Sequence, residues 1–182
     1  MPPKTILTQF WSFTGNKPSK EEYVIKVEPH TNGPLFVELH FYCRSTKISD
    51  LSDFKTQKNL SHLGIPDMKG HGSFIFNSKK LRFIVLPRYA SDLQTLIDKS
   101  QILSIDLACS VANQVVDCFE YLHLMGYVHK DLKGSNLIFE RNNKKNGSKS
   151  REKIYLIDYG LTSRIHQRGL HKPFEPDQRY VL

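Results

Sequence analysis

Apolar residues in the first half of the chain fall in short runs, whereas in the second half they recur every three or four positions. Tyr23-Val24-Ile25-Lys26-Val27 is an apolar run broken once, which predicts a strand. Asn32-Gly33-Pro34 marks a turn, and Pro34 suits the first turn of a helix over about 35–44. A more polar helix is expected over about 50–59. Segments 72–76 and 81–86 read as the strands of a hairpin around 77–80, with Gly70-His71-Gly72 as a turn before the first. Ser91-Asp92 then caps a short helix to about Lys99. The clearest helix follows: Leu107, Ala108, Val111, Ala112, Val115, Val116, Phe119 and Leu122 give it a wide apolar face, and Gly126 ends it. Short strands are expected at 127–129, 137–139 and 153–157. Strands first and helices later predict an α+β fold, with no repeat and no internal linker.

Composition narrows the class. The 182 residues suit one domain or part of a larger one, and a hydrophobic content of 39% is enough to bury a core. No apolar run approaches the ~18 residues of a membrane span, and Met1-Pro2-Pro3-Lys4 opens no secretory signal, so no membrane partner is expected. Cys43, Cys109 and Cys118 are odd in number and lack metal-ligand spacing. They read as reduced thiols of an intracellular protein, nuclear or cytoplasmic and not secreted. Cys118, His123 and His129, the nearest grouping for zinc, straddle a helix end and are set aside. The net charge of +8 raises nucleic acid as a partner, but six basic residues and one acid within 141–153 supply +5 of it. That stretch is rich in Asn, Gly and Ser and reads as a solvated loop insertion, with a nuclear-import or acidic-partner patch as the alternative. Without interleaved aromatics, direct nucleic-acid contact is not expected.

Four features carry chemistry. His129-Lys130-Asp131-Leu132-Lys133-Gly134-Ser135-Asn136 fits the pattern H-x-D-x-x-x-x-N of a phosphoryl-transfer loop. In it Asp131 accepts or orients a hydroxyl proton, Lys133 neutralises charge on the moving phosphate, and Asn136 offers an oxygen to a metal ion. Chance supplies four such fixed residues about once in a thousand chains of this size. Asp158-Tyr159-Gly160 follows an apolar strand and corresponds to D-F-G, placing a carboxylate where magnesium bridges phosphates. Taken singly, an Asp-x-Gly after a strand is more often a plain turn. Val24-Ile25-Lys26-Val27 matches the strand whose lysine meets ATP phosphates, and Glu38, inside the next helix, is placed to pair with Lys26. Singly these are an edge-strand lysine and an ordinary helix glutamate. Their shared order, Lys, Glu, H-x-D…N, D-x-G, is that of protein kinases.

The resemblance goes further than these motifs. Lys26-Val27-Glu28-Pro29, Asn32-Gly33-Pro34-Leu35-Phe36-Val37-Glu38-Leu39, Gly64-Ile65-Pro66, Tyr127-Val128-His129 and the stretches 81–94 and 154–161 resemble the vaccinia-related kinases, a branch of the casein kinase group. That resemblance implies a two-lobed fold with ATP and Mg2+ between the lobes and Ser/Thr of proteins, chromatin proteins among them, as acceptor. About 22–86 would form a small sheet lobe lacking its first strands, and 87–182 the start of a helical lobe carrying the 141–153 insertion. By position, Leu86 resembles the gatekeeper, and Pro87-Arg88-Tyr89 the hinge that meets adenine.

Three departures stand against the pattern. Only Gly15 precedes Lys26, so a glycine-rich cover over the phosphates is missing. Lys130 stands where the family usually has glycine. Last, only 159–182 follow Asp158, so the apolar face of the 107–122 helix is expected to lack a covering helix. Weak or absent activity of the chain is the expectation, with a truncated, non-catalytic nucleotide- or partner-binding module as the alternative.

Overall fold

The structure is a computed structural model and describes residues 6–14, 17–140, 152–167 and 170–172. Strand β1 (Ile6–Thr14) pairs antiparallel with β2 (Lys17–Pro29), whose run through Val24–Val27 alternates faces in the extended period of two. Helix α1 (Pro34–Ser45) starts on its proline and buries Leu35, Glu38, Phe41, Tyr42 and Ser45, a stripe at spacings of three and four. Helix α2 (Ile48–Gln57) follows, then β3 (Gly70–Phe76) and β4 (Lys79–Pro87). Asn77 and Ser78 join these two strands with φ of 47° and 59°, the left-handed pair that a tight two-residue hairpin needs. The sheet order is β1-β2-β4-β3, antiparallel throughout.

The second half is led by helix α3 (Leu93–Ser100), capped where Asp92 Oδ1 accepts from Thr95 N at 2.8 Å. Helix α4 (Ile105–Leu124) is capped by Ser104 and followed by Gly126 at φ 79°, a conformation glycine adopts freely. Strands β5 (Tyr127–Val128), β6 (Leu137–Phe139), β7 (Ile154–Leu156), β8 (Ser163–Arg164), β9 (His166–Gln167) and β10 (Leu170–His171) pair as β5–β8, β6–β7 and β9–β10. One core runs through both halves: Phe41, Tyr42, Ile84, Tyr121, Leu122, Ile154, Leu156 and Tyr159 are all buried. Tyr121 ties them together, since its hydroxyl donates to Ser45 O at 2.6 Å and its ring meets Phe54 of α2 at 5.2 Å.

Four expectations change. The sheet has a strand, β1, ahead of the lysine strand. Its Ile, Thr, Phe and Trp content favours extended backbone, but a register shift between Trp11 and Phe13 spoils a clean alternation. Gly70-His71-Gly72 is not a turn but the start of β3. Gly72 belongs there because a Cβ would stand 2.9 Å from the Phe83 ring. Helix α2 spans 48–57, not 50–59, and Asn59 turns left-handed just after it. Finally, the α4 stripe is covered in part: Val111, Val115 and Leu122 are buried and Leu107, Ala108 and Phe119 half-buried, while Ala112 and Val116 are exposed, as are Ile105 and Leu124 of the same helix. The basic stretch expected to be a loop insertion lies almost wholly, at 141–151, outside the described residues. Among the described residues no helix is long and apolar enough to cross a membrane.

Candidate active site

A cavity of about 460 Å³ opens between the sheet and the β6–β7 hairpin. Val24, Leu35, Leu86, Ile138 and Ile157 give it apolar walls, Pro87, Arg88 and Tyr89 line one rim, and Lys26, Glu28, Glu38 and Asp158 bring charge to it. Leu86 and Tyr89, the expected gatekeeper and hinge positions, thus both face this space. Burial, then the Tyr155 ring 4.3 Å away, pushes the Tyr89 phenol upward, so it stays a neutral donor.

Lys26 is held at the centre by two carboxylates. Its Nζ donates to Glu38 Oε1 and Oε2 at 3.0 and 2.9 Å and lies 3.6 Å from Asp158 Oδ1. Strand β2 aims Lys26 and Val24 to one side because alternate residues share a face. Helix α1 presents Glu38 because its buried stripe passes through that position. Burial alone would lower the ammonium pKa, but Glu38 and then Asp158 outweigh it and hold Lys26 above the ordinary lysine range. Glu38 is almost fully buried, and desolvation pushes its carboxyl up against the pull of Lys26. The two short contacts from one ammonium to both carboxylate oxygens are the geometry of an ion pair.

Asp131, Lys133 and Asn136 form a second cluster that stands outside the cavity lining. Lys133 Nζ donates to Asp131 Oδ2 at 2.7 Å, and Asn136 Nδ2 donates to Asp131 O at 2.8 Å and Oδ2 at 3.1 Å. Lys133 therefore sits on the aspartate, not in the cavity. Burial would raise the Asp131 carboxyl, yet Lys133, Asn136 and His129 together hold it below the ordinary range. His129 shapes the loop. Its Nε2 faces Ile157 O at 3.1 Å and its Nδ1 accepts from Asp131 N at 3.3 Å, which fixes a neutral Nε2–H tautomer. Burial, the largest influence on this ring, lowers its pKa in agreement. Gly134 permits the loop to touch α3, where a Cβ would stand 2.9 Å from Gln94 Oε1 and 3.2 Å from Gln94 N.

Ile157 joins the two clusters through its backbone: its N–H donates to Asn136 O at 2.9 Å and its carbonyl receives His129. The next residue, Asp158, turns left-handed at φ 67°, leaving its side chain 45% exposed toward Lys26. Tyr159 then drops into the core, stacked on Phe41 at 4.1 Å and edge-on to Tyr42 and His129 at 5.4 and 5.0 Å.

The residues present suit a nucleotide with a divalent cation. The cavity is of the size of small-molecule sites, with apolar walls for a base and one lysine for phosphate. Asn136 spends its Nδ2 on Asp131 and so keeps Oδ1 as the end able to ligate, while Asp158 offers a half-exposed carboxylate. Val24, Ile138 and Ile157 were not singled out in the sequence. Val24 was findable, being two residues from Lys26 on one strand, whereas the isoleucines reach the cavity only through the β6–β7 pairing.

Comparisons with known proteins bear on the family and the fold. The Protein kinase domain family matches residues 44–181, a span holding Asp131, Asn136 and Asp158 and starting after Lys26 and Glu38. The chain is 40% identical over 157 residues to nucleosomal histone kinase 1 of Drosophila melanogaster, covering 86% of this chain and 25% of that protein. It is 35% identical over 171 residues to serine/threonine-protein kinase VRK2 of Homo sapiens, covering 93% and 32%. The chain therefore spans a third or less of those two relatives. The solved structure of vaccinia related kinase 3 superposes with a TM-score of 0.70 at 27% identity, covering 87% of this chain and 46% of that one. The chain belongs to the protein kinase family, on its vaccinia-related branch.

Proposed function

We propose that this chain supplies the nucleotide and catalytic-loop residues of an ATP-dependent serine/threonine kinase of the vaccinia-related type. The observation that carries the proposal is Lys26 held between Glu38 and Asp158 in the lining of a largely apolar cavity. Lys26 meets the phosphates, Leu86 and Tyr89 flank the base, and Asn136 and Asp158 hold Mg2+, which when bound offsets charge on the phosphates. Asp131 is held below the ordinary carboxylate range and is therefore a weak base. Its role is to orient the acceptor hydroxyl, with Lys133 beside it to offset charge on the transferred group. Protein acceptors on chromatin are the substrate class to try first, a reading supported by the name of the Drosophila relative. An intracellular setting, nuclear or cytoplasmic, fits three free cysteines.

The test is thermal stabilisation by ATP with magnesium, compared with an Asp158→Ala variant, followed by phosphate transfer to histone substrates. Stabilisation that the variant loses, with transfer to Ser or Thr, is the expected result. Magnesium-dependent binding without any transfer would favour a nucleotide-binding module instead, an alternative supported by the single glycine, Gly15, ahead of Lys26. No stabilisation at all overturns both.

A further inference from the structure

Lys26-Val27-Glu28-Pro29 gives its lysine to the phosphate end of the site, while its glutamate turns to the start of α1. Glu28 lies two residues along β2 and so shares the face of Lys26. It is buried, and its Oε1 accepts from Phe36 N at 3.2 Å, in the first turn of α1. That turn needs an outside acceptor. Its N-cap residue is Gly33, which has no side chain to offer, and the first amides of a helix have no partner within it. A carboxylate there also meets the positive end of the helix dipole.

Arg82, the register partner of Glu28 on β4, completes the grip. Its Nε lies 3.5 Å from Glu28 Oε1, and its Nη2 donates to His30 O at 2.6 Å and Asn32 O at 3.3 Å. Its guanidinium also lies 4.9 Å over the Phe36 ring. The sheet thus fixes the connection, the first turn and one side chain of α1 with a single buried ion pair. Strand β2 consequently holds α1 at two points: Glu28 takes the amide of Phe36, and Lys26 takes Glu38 two residues further on.

We infer that Glu28, backed by Arg82, is a positioning residue that sets the pose of α1 and so delivers Glu38 to Lys26. Two ties from adjacent same-face strand positions leave the helix neither free to rotate nor free to slide, whereas Lys26 alone would leave its first turn loose. The inference rests on the kinase reading for its consequence, nucleotide affinity, but not for the helix pose itself.

The test compares wild type, Glu28→Ala and Glu28→Gln by hydrogen exchange across α1 and α4, and by affinity for ATP with magnesium. Glu28→Ala is expected to speed exchange in the first two turns of α1 about tenfold, leave α4 unchanged, and weaken nucleotide binding about tenfold. Glu28→Gln keeps an acceptor oxygen for Phe36 N and is expected to recover most of both. Unchanged α1 exchange in Glu28→Ala overturns the inference. So does equal loosening of α1 and α4, which marks a general loss of stability, and so does faster α1 exchange with unaltered affinity. If wild type binds no nucleotide, the kinase reading fails while the exchange comparison still decides the helix pose.

Discussion

Lys26 Nζ stands 2.9 Å from Glu38 Oε2, a pair in which the carboxylate side chain is 2% exposed and the lysine 14%. Removing one member leaves the other as an unpaired buried charge, which costs more than the pair itself contributes. Lys26→Met is therefore expected to destabilise the fold by about 3 kcal/mol in urea unfolding. Adding Glu38→Gln to that variant removes the stranded charge and should restore about 1 kcal/mol or more. A double variant as unstable as Lys26→Met alone would show that the stranded carboxylate is not the cause.

Lys130 has a φ of 69°, in the left-handed region. That region costs a residue with a Cβ roughly 1 to about 2 kcal/mol and costs glycine little. The related kinases usually have glycine here, so the structure gives a physical meaning to that departure: the loop keeps its shape and the lysine bears the strain. Lys130→Gly is expected to stabilise the chain by about 0.5–1 kcal/mol, the relief exceeding the entropy glycine adds to the unfolded state. Urea midpoints decide it, and a lower midpoint for the variant refutes the strain argument.

His129 is buried, and burial lowers its pKa below the ordinary 6.5. Above about pH 6.5 the ring is neutral folded and unfolded alike, and its bonds to Ile157 O and Asp131 N are in place. As pH falls below that value, the unfolded chain takes up a proton that the folded ring resists, so stability is lost through this window. His62, also lowered by burial, adds loss of the same sign, so the measurement is a difference. Urea unfolding from mildly acidic to neutral pH should show a shallower acid decline in His129→Asn than in wild type. Identical declines would mean that His129 titrates freely in the folded state.

How much of this was legible depended on how local each cause was. The β3–β4 hairpin, α1, α4 and the Asp92 cap follow from spacing within a few residues, and each stands close to its expected place. Strand β1 was hidden because Phe10-Trp11 and Phe13 fit neither a period of two nor one of 3.6, and its bulged pairing with β2 settles it. Gly70 and Gly72 signal a turn locally, but pairing with β4 and the Phe83 ring overrides that signal. The order of Lys26, Glu38, Asp131, Asn136 and Asp158 was legible as a pattern. The joint between the two clusters was not, because it runs through the backbone of Ile157, which carries no signature.

Tyr159 and Tyr42 meet edge to face at 5.4 Å, yet their hydroxyls differ. Tyr159 donates to Leu156 O at 2.9 Å, while the buried hydroxyl of Tyr42 has no hydrogen-bond partner among the described residues. Tyr159→Phe is expected to lose one hydrogen bond, about 1 kcal/mol, whereas Tyr42→Phe removes an unsatisfied group and should be neutral or stabilising. The ring matters more than the hydroxyl. Tyr159→Ala removes the stack on Phe41 and leaves a cavity in the core. The expected loss is about 3–5 kcal/mol. Because the ring is the anchor immediately after Asp158, Tyr159→Phe should keep the stabilisation by ATP and magnesium, and Tyr159→Ala should lose it even at temperatures where it stays folded. A folded Tyr159→Ala that responds to nucleotide as wild type does would mean that Asp158 is held by Lys26 alone.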